Sequence, residues 1–209
     1  MNSAHHESPK ALLFDFGGVV LECDFGRVMK HWHQFSSLSL AEVTSRFEHD
    51  EPYAAHERGE LSAEQYFDYL RDHLSLDASH EDMQAGWNAI LVGPIAESLA
   101  LVKAAATQLP CYAFTNTNAT HQAVWENKFP GFLEPFTTVF VSSDMGCRKP
   151  ERAAFDHIVS SIGVAAKEIL FFDDLELNVT GAQDAGLRAV LVSGPQDVAD
   201  ALKPILQRQ

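Results

Sequence analysis

Residues 11–20 read Ala-Leu-Leu-Phe-Asp-Phe-Gly-Gly-Val-Val. Four apolar residues, Ala11 to Phe14, stop at the carboxylate of Asp15, and Gly17-Gly18 then break the run. A strand buried on both faces of a parallel sheet reads as such a run. In open α/β sheets the ligand crevice lies beyond the carboxyl ends of the strands, which puts Asp15 where chemistry is done. Two later runs stop in the same way. Ala113-Phe114 leads into Thr115, with Asn116, Thr117 and Asn118 after it, and Ile169–Phe172 leads into Asp173-Asp174. Lys149, between Arg148 and Pro150, adds a cation. This inventory suits a phosphate held by a divalent cation and attacked by an aspartate.

Outward from β-like residues 11–15 the character changes. Residues 24–90 hold no convincing strand, while Ser39 with Glu42 and Ser62 with Gln65 have capping-box spacing. Leu61, Tyr66, Phe67, Leu70 and Leu74 recur at helical intervals, so the spacing predicts a small helical bundle. Strand–helix alternation resumes after Gly93-Pro94. Helices are expected over 95–107, 117–128, 150–162 (Pro150 in the first turn) and 176–185, with strands over 110–115, 138–142, 169–172 and 188–192. The fold class is therefore α/β, a doubly wound parallel sheet with right-handed crossovers and an inserted helical cap. The expected division is a core of 1–23 and 91–209 with a cap of 24–90.

The 209 residues can bury roughly 70% of their unfolded surface, enough for a core and an appended subdomain. A net charge of -14 argues against a nucleic-acid partner. It does not exclude a phosphate ligand, because a bound cation can invert the local field. Cys23, Cys111 and Cys147 have no metal-ligand spacing and suggest no disulfide framework. The polar start lacks the order of a secretion signal, and no apolar run approaches a membrane span. A cytoplasmic chain without membrane or nucleic-acid partners is expected, as monomer or homodimer.

Each site signal has a plainer alternative. Asp15 can simply face solvent, Thr115 to Asn118 are ordinary turn and cap residues, and Lys149 can be an exposed loop lysine. Helix capping needs only one aspartate of the 173–174 pair. Two adjacent carboxylates repel unless a cation or donors compensate, and Mg²⁺ takes oxygen ligands.

Taken in order, these motifs resemble those of the haloacid dehalogenase-like hydrolase superfamily, end to end. The resemblance implies a Rossmann-like core of five strands in the order 5-4-1-2-3. It implies Asp15 as the nucleophile that forms an aspartyl-phosphate. Thr115, Asn116 and Lys149 would then bind the phosphoryl group, and Asp15, Asp173, Asp174 and the Gly17 carbonyl would hold Mg²⁺. His56-Glu57-Arg58-Gly59-Glu60 and Arg148-Lys149-Pro150-Glu151 resemble the bacterial branch that contains the α-D-glucose-1-phosphate phosphatase. That points to a small phosphorylated metabolite, a sugar phosphate such as glucose 1-phosphate.

One position departs from the pattern. Most phosphatases of the superfamily carry a second aspartate two residues after the nucleophile to protonate the leaving oxygen, and here that residue is Gly17. General acid–base catalysis is worth ~10²–10⁴-fold. His56 and Glu57 are candidates to replace it, and with Arg58 they are candidates to read the substrate. A metal-independent 2-haloacid dehalogenase would not need that acid, but Asp173-Asp174 argues against it. A phosphate-binding regulatory protein with weak turnover is a further alternative.

Overall fold

The computed structural model describes residues 8–207. The polar start read above, residues 1–7, lies outside them. The chain runs β1 (Ala11–Phe14), β2 (Leu21–Cys23), α1 (Phe25–Trp32), α2 (Leu40–Arg46), α3 (Glu51–Glu57), α4 (Ala63–Leu74) and α5 (His80–Asn88). It continues with β3 (Leu91–Pro94), α6 (Ala96–Ala106), β4 (Cys111–Thr115), α7 (Ala119–Lys128), β5 (Thr138–Val141), the single turn α8 (Ser142–Met145) and α9 (Arg152–Ile162). β6 (Ile169–Asp173), α10 (Glu176–Asp184), β7 (Arg188–Leu191) and α11 (Pro195–Leu206) complete it.

Five parallel strands form one sheet in the order β5-β4-β1-β6-β7. With these core strands numbered along the chain, that is the expected 5-4-1-2-3 order, viewed from the other edge. β1 is central and buried at every residue. Its alternation feeds two cores, Leu12 and Phe14 into one face and Ala11 and Leu13 into the other. Phe14 pairs with Ala113 on β4 and with Phe172 on β6, so the three strands end at one level. Asp15 N donates to Phe172 O at 2.8 Å, which anchors the first residue beyond the strand.

Helices α1–α5 have a core of their own around Trp32, Tyr66, Phe67 and Trp87. The expected capping boxes form: Ser39 with Glu42 starts α2, and Ser62 with Gln65 starts α4. A third, Ser79 with Asp82, starts α5. β2 and β3 pair antiparallel, Leu21 opposite Pro94, and bring the two ends of the helical insert together. Neither strand is legible in the sequence, because each is too short to show a period. Pro150 also departs from expectation. It precedes α9 rather than entering it, and Glu151 occupies the N-cap position. Among the described residues no helix is long and apolar enough to cross a membrane.

Candidate active site

The site is built at the carboxyl ends of β1, β4 and β6. Lys149 is 1% exposed, and its Nζ lies 2.8 Å from Asp15 Oδ1 and 2.7 Å from Asp173 Oδ2. It also donates to Phe114 O at 2.9 Å and sits over the Phe114 and Phe171 rings. Burial alone would lower the lysine's pKa, but the Asp15 and Asp173 carboxylates outweigh it and hold the ammonium charged. Asp15 Oδ1 accepts a second bond, from Phe16 N at 2.6 Å. One oxygen of Asp15 is therefore pinned, and no donor among the described residues holds Oδ2.

Burial, the largest cause, pushes the Asp15 carboxyl up to about 8; the Lys149 charge opposes that, and the charges of Asp173 and Asp174 add to it. Asp174 is raised by burial and by Asp173. Three carboxylates crowded in this way call for a counter-cation. One oxygen from each of Asp15, Asp173 and Asp174 lies within 4.8 Å of the others, and these are the hard donors that Mg²⁺ takes. The residues present fit such an ion. They are not equivalent, however. Asp173 Oδ1 accepts from Leu175 N and Asn178 Nδ2, both at 2.9 Å, and its Oδ2 is taken by Lys149. Asp173 is fully buried beneath the cavity floor, whereas Asp15, Gly17 and Asp174 line the cavity itself.

Thr115 ends β4 with its hydroxyl free of any hydrogen bond to the described residues, facing the same cavity. Asn116 serves another purpose. Its Nδ2 donates to Lys149 O and its Oδ1 accepts from Lys149 N, both at 2.9 Å, so its side chain ties the two loops together. That leaves its backbone rather than its amide for a phosphoryl oxygen. Asn118 caps α7 by accepting from the Thr120 and His121 amides.

Of the three cap candidates only Glu57 lines the cavity. Burial raises its pKa, while Arg148, with Nε 2.7 Å away, and the Tyr53 hydroxyl lower it. The Arg148 contact is close but poorly aligned, an ion pair more than a hydrogen bond. His56 is not at the site. It is buried, stacked on Tyr66 at 4.6 Å, with Nδ1 against Leu61 O. Arg58 is also turned away, pairing with Glu51 and Glu60 and reaching Glu151 at 3.4 Å. A helix presents adjacent residues to different faces, so the three could not all meet one ligand.

The left-handed backbone falls at Gly18, not Gly17: φ is +67° there, and a Cβ would stand 2.3 Å from Asp174 Oδ2. At Gly17 a Cβ would meet only Cys23 Sγ, at 3.6 Å.

The remaining wall was not foreseen. The cavity, ≈ 580 Å³, is also lined by Cys23, Phe25, His49, Tyr53, Trp87 and His121. His121 is buried and neutral, its pKa lowered to about 4 by burial against the opposing Trp87 carbonyl. Its Nε2 donates to Trp87 O at 3.2 Å, so Nδ1 accepts from Thr117 Oγ1. None of these residues has a spacing signal, since they converge from separate elements. The one local cue was His121 three residues after the cap residue Asn118.

Comparison with known proteins agrees with this fold. A haloacid dehalogenase-like hydrolase family model matches residues 9–186. A drimenol cyclase of Aspergillus calidoustus is 27% identical over 87% of this chain, which spans only 35% of that protein's length. A sesquiterpene phosphatase of Aspergillus oryzae is 26% identical over 85% of this chain and 87% of its own. D-ribitol-5-phosphate phosphatase of Bacteroides thetaiotaomicron is 23% identical, over 94% of this chain and 98% of its own. A crystal structure of a family enzyme from that bacterium, in complex with magnesium and inorganic phosphate, superposes with a TM-score of 0.78 at 27% identity, covering 88% of this chain and 94% of that one. The chain belongs to the haloacid dehalogenase-like hydrolases.

Proposed function

We propose that this hydrolase is a Mg²⁺-dependent phosphatase that cleaves a small phosphorylated metabolite through an aspartyl-phosphate at Asp15. The observation that carries this reading is the buried Lys149, which pins Asp15 Oδ1 at 2.8 Å and leaves the other oxygen to attack. In the first step that oxygen bonds to phosphorus and the ester P–O bond breaks, its electron pair leaving on the alcohol oxygen, which takes a proton from solvent. Water then attacks the phosphorus, gives a proton back to solvent, breaks the acyl-phosphate P–O bond and releases inorganic phosphate, regenerating the carboxylate. The Thr115 hydroxyl, the Asn116 backbone N–H and the Lys149 ammonium receive phosphoryl charge. Mg²⁺, held by Asp15, Asp174 and the Gly17 carbonyl, would neutralise and orient the phosphoryl group. Asp173, with its oxygens engaged, contributes charge and holds Lys149 in place. Residues 24–90 act as a cap over a core of 1–23 and 91–209, closing the cavity against water.

The Asp173-Asp174 pair supports a metal-dependent phosphatase over a dehalogenase. The D-ribitol-5-phosphate relative supports a sugar or polyol phosphate, as the sequence resemblance to the glucose-1-phosphate branch does. The sesquiterpene phosphatase supports an apolar alcohol instead. Phosphate release from p-nitrophenyl phosphate tests the core proposal. Activity should require Mg²⁺, vanish in excess chelator and be lost in Asp15→Asn. Full activity in chelator, or chloride release from 2-chloropropionate, would overturn it.

A further inference from the structure

Several polar side chains around the leaving-group end of the cavity are engaged with one another. Asn118 caps α7, and its Nδ2 meets His121 Nδ1 at 3.3 Å. Thr117 Oγ1 meets the same nitrogen at 3.2 Å, and the other His121 nitrogen is bound to Trp87 O. Glu57 is held between Arg148 and the Tyr53 hydroxyl. Without a hydrogen-bond partner among the described residues are the Trp87 indole N–H, buried in this wall, the His49 ring nitrogens at the rim and the outer nitrogens of Arg148.

The rest of that wall is apolar, with Phe25, Trp87, Ile90 and Leu91 from the helical insert and its hairpin. Across the mouth stand Leu175 and Leu177, directly after the aspartate pair, 55% and 68% exposed. Among the described residues only three large hydrophobic side chains are strongly exposed, and two of them are these. Leaving two leucines in water beside a phosphoryl site has no folding benefit. Both are accounted for if a ligand covers them.

Resting on the phosphatase reading above, we infer that the substrate is a phosphate monoester of a largely hydrocarbon alcohol, its body lying between the Phe25–Trp87 wall and Leu175–Leu177. A sugar would bring several hydroxyls into a space that offers few unpartnered polar groups, and each unpaired hydroxyl is penalised. A hydrocarbon body carries no such penalty and gains by burial. One polar function at its far end would meet His49 and Arg148.

The test uses a series of straight-chain alkyl phosphates, butyl to decyl, beside glucose 1-phosphate and ribitol 5-phosphate. Two readouts are taken: kcat/KM of the wild-type protein, and calorimetric binding to Asp15→Asn in the presence of Mg²⁺. Both should improve about four-fold per added methylene until the cavity fills, and the long alkyl esters should exceed both polyol esters. Leu177→Ser, at an exposed position, should flatten the series. A flat series in binding, or a polyol phosphate preferred over every alkyl ester, would overturn the inference. Chain-length-dependent binding without any turnover would instead overturn the phosphatase reading while leaving the cavity assignment standing.

Discussion

Asp15 and Gly17 are two residues apart and show what a sequence can and cannot carry at this scale. Asp15 is legible because an apolar run stops there, and its fixing by Lys149 depends on the loop between α8 and α9 reaching the ends of β1 and β6. Gly17 is legible as a missing acid, but its backbone freedom is not, since either glycine of the pair could hold the left-handed turn. The structure gives that conformation to Gly18, where a side chain would collide with Asp174, and leaves Gly17 with room for a Cβ. Gly17→Asp should therefore fold. If the chain lacks an efficient acid, the variant should raise turnover of alkyl phosphates toward the ~10²–10⁴-fold that acid–base help supplies. It should change little on p-nitrophenyl phosphate, whose phenolate departs without a proton. A folded variant with no gain on alkyl esters would mean that another group already donates, and Glu57 is the cap carboxyl in the cavity.

Elements meet across the cavity through few polar contacts. Glu57 on α3 pairs with Arg148, Arg58 reaches Glu151, and His121 on α7 binds the carbonyl of Trp87 on α5. The helical period of α4 and two capping boxes were readable because they are local, with every partner within a few residues. The contacts between elements were not, because a histidine or glutamate at the same spacing is equally at home on a solvated face. His56 is the instructive case, since it shares a charged stretch with Glu57 yet turns into the aromatic core against Tyr66. His121 makes the joint sensitive to acid. Its pKa is about 4 when folded against 6.5 ordinarily, so the unfolded chain takes the proton first. Its contribution is complete above about pH 6.5 and declines as pH falls toward 4, by about 3 kcal/mol. Urea denaturation between about pH 7 and pH 4 should show a shallower loss for His121→Gln than for wild type. Equal slopes would show that the His121 ring does not set the acid response.

At the scale of the whole molecule the sheet does the positioning. Strand order and common register bring residues 15, 115 and 173 to one edge from three distant parts of the chain, and Lys149 arrives on a loop between β5 and β6. That much follows from apolar runs and crossover rules, which is why the core topology was readable before the structure. The short hairpin β2–β3, the final helix and the composition of the cavity wall were not. They depend on which surfaces meet, and the overall charge of -14 conceals the two cations, Lys149 and Arg148, that line the cavity. The claim on which the account rests is that Asp15 itself attacks phosphorus. Acid quenching during turnover of a radiolabelled phosphate ester, followed by proteolysis, measures this directly. Label should appear on the peptide containing Asp15, be released by hydroxylamine as an acyl phosphate is, and be absent from Asp15→Asn. Phosphate release at a normal rate by Asp15→Asn, or label mapped to any other residue, would contradict it.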